Sequence, residues 1–460
     1  GNFIIDWGDG EFETIKDKPI GTTTYSHKYT ASDEYEIKLT GRATDYSDAK
    51  VDMDTGANWV PAFALTDAIS GSFMATNVAK ISGGLGRVFP TMDDGSNPNF
   101  IGTFVMAPIT EIPADLFDGI SGAPTHAMFF GTFSDTAITS IPANLFGTLN
   151  GDGAPSMFER TFEACENLTT VDGPLFSGTI TPANRMFYAT FSFTALTEIP
   201  ADLFAGIRGA PADSMFADTF YSTPITSIPA DLFAEIQGAP AKNMFYWTFY
   251  NTALTEIPAD LFAGIQGAPA KDMFGWTFAY TALTEIPADL FAGIQGAPAD
   301  SMFSGTFSNT AITEIPADLF AGIQGAPADS MFSGTFNRTA ITEIPSDLFA
   351  GIQGAPADSM FFNTFFNTAI TEIPADLFAG IRGAPAKNMF DSTFSFTALT
   401  EIPADLFAGI QGAPVFRMFA DTFNNTDITS IPENLFAGIS GPAATDMFSF
   451  TFANCTSLTG

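Results

Sequence analysis

The sequence predicts an α/β repeat solenoid that is preceded by a small β-rich segment. Three observations support this prediction: a 29-residue pattern recurs along most of the chain, phenylalanine returns at three fixed places in every copy, and proline and glycine mark the same boundaries in most copies. Each copy is expected to contribute one short parallel strand and two short helices. Since such a unit cannot bury its own apolar face, neighbouring copies must stack and share a core.

The copy from Ile312 to Ala340 represents the repeat well. Its ITEI segment, Ile312–Ile315, predicts a strand that ends at Pro316, because proline cannot donate a hydrogen bond to a sheet. A first short helix is expected over Asp318–Ile323, where an acid follows proline as at many helix starts. A second helix is expected after Pro327, with Met, Phe, Thr and Phe facing the core.

Four segments follow from this pattern. Residues 1–50 form a partial β segment, and residues 51–108 form a linker and a degenerate capping repeat. Residues 109–457 hold twelve repeats of about 29 residues, and residues 458–460 have the pattern of the start of a further repeat. We therefore expect the sequence to be part of a longer chain.

Charge and composition exclude several classes of function. The chain has 51 acidic and 17 basic residues and a net charge of −34, so it repels nucleic acid and anionic lipid. Two histidines, two cysteines and the lack of a phosphate-binding or nucleophile motif lead us to expect neither enzymatic activity nor a cofactor. Cys165 and Cys455 hold the same place in copies ten repeats apart, which predicts two small buried residues rather than a disulfide.

Two motifs alternate along the repeats. They read L/I-T-x-I-P-x-x-L-F and M-F-x-x-T-F-x-x-C/T, and the second ends in a cysteine variant at Phe162–Leu168 and Phe452–Leu458. This alternation resembles the BspA-like leucine-rich repeats of bacterial surface proteins. The resemblance implies an extracellular or cell-surface adhesin or ligand-binding module. Its partner would be a protein or glycan on a host or neighbouring cell.

The N-terminal segment has a different pattern. The runs Ile4–Gly10, Tyr25–Tyr29 and Tyr35–Leu39 predict strands, the first of them leading into a WGDG turn. The turn and the downstream H-x-Y resemble PKD-type immunoglobulin-like sandwiches of extracellular proteins. Asp6 and Asp9 are weak candidates for calcium ligands, and the alternative is that these acids form the turn.

Four positions of the second predicted helix vary between copies: the two after Met-Phe and the two after Thr-Phe. At about 100° per residue they share one helix face, opposite the Met, Phe, Thr and Phe side chains, so we expect them to be exposed. Aromatic residues fill 13 of these 48 positions, whereas 14% of the whole chain is aromatic. The candidate partner-binding residues are Tyr188, Phe193, Tyr221, Tyr246, Trp247, Tyr250, Trp276, Tyr280, Phe362, Phe366 and Phe396.

These variable positions favour a recognition function. Tyrosine and tryptophan among Ser, Asn and Gly on a rigid scaffold are typical of binding surfaces. The sequence therefore predicts a non-enzymatic recognition or adhesion protein that binds a protein or glycan through the aromatic residues. The alternative is a structural subunit of an appendage, fibre or surface layer that uses the same face to bind copies of itself. Packing against a flanking element and neutral drift are two further explanations of the aromatic residues.

Overall fold

The computed structural model describes residues 3–16, 25–44 and 77–459. Most of the predicted linker, 51–76, and Gly460 lie outside the described residues. In the part of the chain that is described, no helix is long and apolar enough to cross a membrane.

The chain divides into two compact units. One consists of Gly1–Leu196 with Pro200–Arg208, and the other consists of Thr197–Ile199 with Gly209–Gly460. The first unit contains the N-terminal sheet and the earlier repeats, and the second contains the later repeats. Within each unit the repeats stack as a solenoid, as the sequence predicts.

The first unit begins with a three-stranded antiparallel sheet. Its strands are β1 (Phe3–Asp6), β2 (Phe12–Ile15) and β3 (Lys38–Gly41), in the order β2-β1-β3. The WGDG turn connects β1 to β2, and the N–H of Trp7 donates to the carbonyl of Glu11 at 3.0 Å. Both neighbours of β1 pair with it over four residues.

Two strand predictions in this segment are wrong. Residues 25–29 form no strand, and the strand predicted from Tyr35 begins only at Lys38. Side chains hold this region instead, because the hydroxyl of Tyr29 donates to the carbonyl of Trp7 at 2.8 Å and its ring stacks on Tyr35 at 4.1 Å. The prediction also missed β2, whose exposed side chains do not follow a clear apolar alternation.

A capping segment precedes the repeats. Its helix α1 (Leu85–Val88) contacts the first repeat, where the N–H of Gly86 donates to the carbonyl of Leu116 at 2.8 Å. A Cβ atom at Gly86 would lie 2.6 Å from the carbonyl oxygen of Asp118, so only glycine fits there. Residues 99–104 then adopt the hydrogen-bonding pattern of the later copies.

Short parallel pairs of strands connect the early repeats. Strand β4 (Ser121–Gly122) pairs with β6 (Thr148–Leu149), and β5 (Ser140–Ile141) pairs with β7 (Thr170–Val171). Strands β5 and β7 lie in the predicted strand segment of their copies.

In the second unit the segment predicted as a strand forms no strand. Thr313 donates its N–H to the carbonyl of Thr284 at 3.3 Å, and consecutive copies also share a single parallel bridge such as Gly325 with Ile352. The strand prediction is therefore wrong for the second unit, where the segment contacts the preceding copy through isolated bonds such as that of Thr313.

The first helix predicted in each repeat is wrong. Over Asp318–Ile323 the structure has consecutive turns, and the N–H of Ala321 donates to the carbonyl of Asp318, three residues back, at 3.0 Å. A segment of six residues such as Asp318–Ile323 is too short to offset the cost of helix nucleation.

The second predicted helix is also wrong. The backbone N–H groups of this segment donate alternately to carbonyls of the next copy and to carbonyls of their own copy. The N–H of Gly305 donates to the carbonyl of Ser333 in the next copy at 2.8 Å, whereas the N–H of Thr306 donates to Phe303 in its own copy at 3.2 Å. This alternation continues along the segment, and an α-helix would need the same groups for its internal bonds. The described repeats therefore form a solenoid of turns and irregular segments.

Every fourth residue of this second segment has a positive φ. In one copy these residues are Asn243, Trp247 and Asn251, with φ of 52°, 58° and 55°. Glycine and asparagine tolerate such angles best, which explains their frequency at these positions in the other copies. The resulting period of four turns two side chains inward and the next two outward.

The predicted core is confirmed even though its helix is not. Met331, Phe332, Thr335 and Phe336 are all fully buried. The ring of Phe332 stacks on Phe303 of the preceding copy at 5.9 Å and 4°. The Thr335 hydroxyl donates to the carbonyl of Phe303 at 2.9 Å, so the buried hydroxyl has a partner.

Both cysteines are free, and they hold a place that threonine fills in most copies. Cys165 is buried, and desolvation raises the pKa of its thiol to about 11, whereas Cys455 is half-buried. Because the thiolate is the reactive form, we expect iodoacetamide at neutral pH to label Cys455 faster than Cys165. Mass spectrometry of the two peptides over time measures both rates, and equal rates would contradict the protection of Cys165.

Candidate recognition surface

Six candidate residues from three consecutive repeats lie together in the second unit. We call this group the aromatic cluster; it consists of Tyr221, Tyr246, Trp247, Tyr250, Trp276 and Tyr280. The four-residue period positions them, because it turns the same pairs of side chains outward in each copy.

Three tyrosines of the aromatic cluster form a row across the repeats. Tyr221 and Tyr250 stack with ring centroids 5.1 Å apart and planes within 2° of each other. Tyr280 continues the row at 5.1 Å from Tyr250, with a tilt of 47°. The row follows from the inter-repeat hydrogen bonds, which hold equivalent side chains side by side.

The two tryptophans pack against this row of tyrosines, and Trp247 connects the row to Tyr246. Trp247 stacks on Tyr246 at 4.9 Å and lies 5.8 Å from both Tyr221 and Tyr250. Trp276 lies 6.4 Å from Tyr250 at a tilt of 57°. The six rings therefore form one contiguous surface, as aromatic residues at matching repeat positions predict.

The exposure of the cluster is lower than the sequence predicts. Tyr280 is 43% exposed, but the other five rings are half-buried. Each ring covers part of its neighbours, and the rings of Tyr246 and Trp276 also lie over the backbone of the next copy. The prediction of a fully exposed face is therefore wrong for these five side chains.

Three rings of the cluster occupy unfavourable backbone positions. Trp247, Trp276 and Tyr280 have φ of 58°, 56° and 58°. A bulky residue in this region costs about 1 kcal/mol or more, and most other copies place Gly, Asn, Asp or Ser there, although Ala, Arg and Phe also occur. The strain makes neutral drift a poor explanation of the aromatic cluster.

Two glycines that sequence reasoning missed shape the cluster. A Cβ at Gly275 would lie 2.7 Å from Cδ2 of Tyr246, and a Cβ at Gly305 would lie 2.4 Å from Cδ2 of Trp276. Each glycine follows its aromatic residue by 29 residues, one repeat, and leaves room for the ring. The signal in the sequence is a glycine at the same repeat position one copy later.

Polar groups accompany the rings. Desolvation, with smaller contributions from Tyr280 and Tyr221, raises the pKa of Tyr250, so its phenol is neutral at physiological pH and able to donate a hydrogen bond. The indole N–H of Trp247 is buried and has no acceptor among the described residues. The cluster thus combines apolar rings with hydrogen-bonding groups.

Three other candidates lie apart from the aromatic cluster in the same unit. Phe366 and Phe396 contact each other at 5.3 Å, and the guanidinium of Arg338 lies 5.9 Å from the centre of the Phe366 ring. Phe396 is 44% exposed, whereas Phe362 is half-buried. Phe366 and Phe396 thus form a second, smaller aromatic group.

The remaining two candidates belong to the first unit. The guanidinium of Arg185 lies 4.0 Å from the centre of the Tyr188 ring. The same arginine bonds to the buried carboxylate of Glu159, so Tyr188 is part of a local structural arrangement. Phe193 is exposed and has a φ of 57°.

The two calcium candidates both form turn contacts. Asp6 accepts the N–H of Gly8 at 3.0 Å, and Asp9 accepts the N–H of Glu11 at 3.1 Å. The second carboxylate oxygen of Asp9 lies 2.6 Å from Nε2 of His27, and this bond lowers the pKa of Asp9. Within the described ranges, no group of three or more His, Cys, Asp or Glu side chains is arranged to hold a metal ion. These contacts favour the turn-forming role, and calcium binding stays a prediction.

Comparisons with known proteins give matches to solved structures. No protein-family description matches the sequence, and no curated protein matches it. A chain in the structure of the Toll–Spatzle complex, a molecular hub in Drosophila development and innate immunity, is similar at 13% identity and a TM-score of 0.23. The match covers 73% of this chain and 47% of the other, so this chain spans about half the length of that one.

Proposed function

We propose that the protein is a non-enzymatic recognition protein that binds a protein or glycan through the aromatic cluster. The observation that carries this proposal is the contiguity of the six rings, three of which occupy backbone positions that disfavour bulky residues. A strained residue that persists on a rigid scaffold is typical of functional sites.

The chemistry of the cluster supports binding. Tyrosine and tryptophan supply a large apolar area at a low cost in conformational entropy, and their polar atoms give hydrogen bonds of defined direction. The repeats hold the rings in place through backbone bonds, so little ordering is needed when a partner binds.

The resemblance of the repeats to a known family extends this proposal to the class and location of the protein. We assign the solenoid to the BspA-like leucine-rich repeats and the N-terminal sheet to the PKD-like segments. The protein would then act as an extracellular or cell-surface adhesin, with its partner on a host or neighbouring cell.

Replacement of Trp247 and Trp276 by alanine tests the proposal. Aromatic anchors at interfaces commonly contribute about 2 kcal/mol or more, so we expect binding to weaken by at least about thirtyfold. The measurement is the binding of labelled protein to an array of immobilised glycans and secreted proteins, together with a thermal melt. We expect the melting temperature to change little, because the core rings beneath the cluster are untouched.

The matched control replaces Ser304 and Ser333 by alanine, two variable positions in neighbouring copies that lack aromatic residues. This control is expected to bind as the wild type does. Unfolding of the tryptophan variant, with unchanged binding per folded molecule, would show that the rings are core and would overturn the proposal. Concentration-dependent self-association that the variant loses, without array binding by the wild type, would establish the structural-subunit alternative instead.

A further inference from the structure

The indole of Trp276 lies flat over the backbone of the next repeat. A Cβ at Gly305 would fall 2.4 and 2.5 Å from Cδ2 and Cε2, the two atoms shared by the indole rings, and 2.8 Å from Cε3. A side chain at residue 305 would therefore point directly at the middle of one face of the Trp276 indole. At Gly334, the same position one copy later, the nearest atom to such a Cβ is 3.9 Å away.

The other face of this indole points away from the core. Side chains at this repeat position leave the backbone outward, as half-buried Asn363 and Ser392 do in later copies. The indole of Trp276 occupies the space above Gly305 that such a side chain would fill. The opposite face of the indole is therefore directed outward. Its one ring contact in the described residues is Tyr250, tilted by 57°, which leaves this face unstacked.

We propose that Trp276 is a stacking platform for a pyranose ring of a neutral glycan and that Gly305 is the positioning residue that keeps the indole flat. This inference rests on the proposed function and specifies its ligand class. Sugars with equatorial hydroxyl groups present a flat face of C–H bonds, which fits an indole face. Tyr280, 43% exposed and in the same copy, adds a phenol to the edge of the platform.

Charge and shape favour this ligand over others. The net charge of −34 disfavours sulfated or uronic-acid polymers. The main contacts of protein partners usually lie in well-packed pockets. An indole that lies on a glycine instead presents a flat aromatic surface, which suits a sugar ring better. A β-linked neutral oligosaccharide is therefore the chemistry that this surface suits best.

Gly305→Asn tests the inference, with Gly334→Asn as its matched control. Both glycines have similar φ, 62° and 63°, and Asn363 occupies the equivalent position at 55°, so the backbone accepts asparagine in both places. Only at residue 305 does the new Cβ displace an indole. The probes are cellohexaose and chitohexaose, and binding is followed by calorimetry and by tryptophan fluorescence.

We expect the wild type and Gly334→Asn to bind at least one of the two probes with equal affinity. Gly305→Asn should weaken that binding by at least about thirtyfold. Trp276→Asn keeps the backbone angle, removes the ring and should weaken binding equally, so a folding defect of the glycine variant leaves the test intact. Wild-type-like affinity in both the Gly305 and Trp276 variants would refute the platform.

The failure of this inference is distinguishable from that of the proposed function. If the wild type binds neither oligosaccharide but binds an immobilised protein through Trp247 and Trp276, the glycan assignment is wrong and the aromatic cluster remains the recognition surface. If the wild type binds an oligosaccharide and the replacement of both tryptophans leaves its affinity unchanged, the stacking platform and the proposed recognition surface are both wrong.

Discussion

Phe336→Ala is expected to destabilise the second unit by about 3–5 kcal/mol. Its ring is fully buried and lies 6.0 Å from Phe307, 5.8 Å from Phe365 and 6.3 Å from Phe320. Truncation leaves a cavity that rigid stacked neighbours cannot fill, and this adds to the lost burial of the ring. Urea denaturation, followed by circular dichroism, measures the loss.

The damage should stay local. In a linear array of repeats, each copy contacts only its neighbours, so the effect of a cavity decays along the stack. Hydrogen exchange should accelerate at the amides of Phe307 and Phe365, which donate to adjacent copies, and remain slow at Phe220. Phe366→Ala is the control, because this neighbouring ring is half-buried on the outer side and should cost far less. Equal acceleration at Phe220 would contradict nearest-neighbour stacking.

The buried face of the repeat was predictable because a helix and the observed turns share part of their periodicity. Met331, Phe332, Thr335 and Phe336 are spaced by one, three and one residues, which places them together in an α-helix and also in a backbone with a period of four. The sequence pattern therefore identified the core correctly while assigning it the wrong backbone.

The signal against the helix was present at the outward positions. Asn, Asp, Ser or Gly recurs four residues apart, as at Ser301, Gly305 and Asn309, and these residue types tolerate positive φ. The periodicity of apolar residues alone does not reveal that a positive φ is required at these positions. Bonds to the next copy cannot be deduced from the local sequence of one repeat, since they depend on the distance between copies.

The aromatic cluster was predictable as a group but not in its detail. Matching repeat positions bring Tyr221 and Tyr250 side by side, which needs only the repeat length. The flat placement of Trp276 depends on its own backbone angle and on a glycine in the following copy, a relation between two repeats. Burial of the rings by one another follows from the same inter-repeat packing.

One buried acid breaks the pattern of the repeat and depends on a partner in the next copy. Asp391 is 2% exposed, and Nε of Arg417 donates to its carboxylate at 2.8 Å. This bond is the main reason why the pKa of Arg417 is raised. Glu159 and Arg185 repeat the arrangement in the first unit at the same spacing of 26 residues. In both places a buried acid in one copy is thus paired with an arginine in the next copy.

Arg417→Ser is therefore expected to destabilise the second unit by about 3 kcal/mol, since it leaves the carboxylate of Asp391 buried without a cation. Serine occupies the two equivalent positions in another copy, at Ser330 and Ser333, so Arg417→Ser combined with Asp391→Ser introduces residues that the repeat already accepts there. We expect this double variant to unfold within about 1 kcal/mol of the wild type, because replacement of a whole buried ion pair is often nearly neutral.

Urea denaturation of the wild type, the single variant and the double variant separates the two contributions. The single variant should unfold at a lower urea concentration than the double variant, because only the single variant keeps a buried carboxylate without its cation. A single variant as stable as the double variant at neutral pH would mean that the hydroxyl of Ser392, which donates to Asp391 at 2.9 Å, satisfies the carboxylate without arginine.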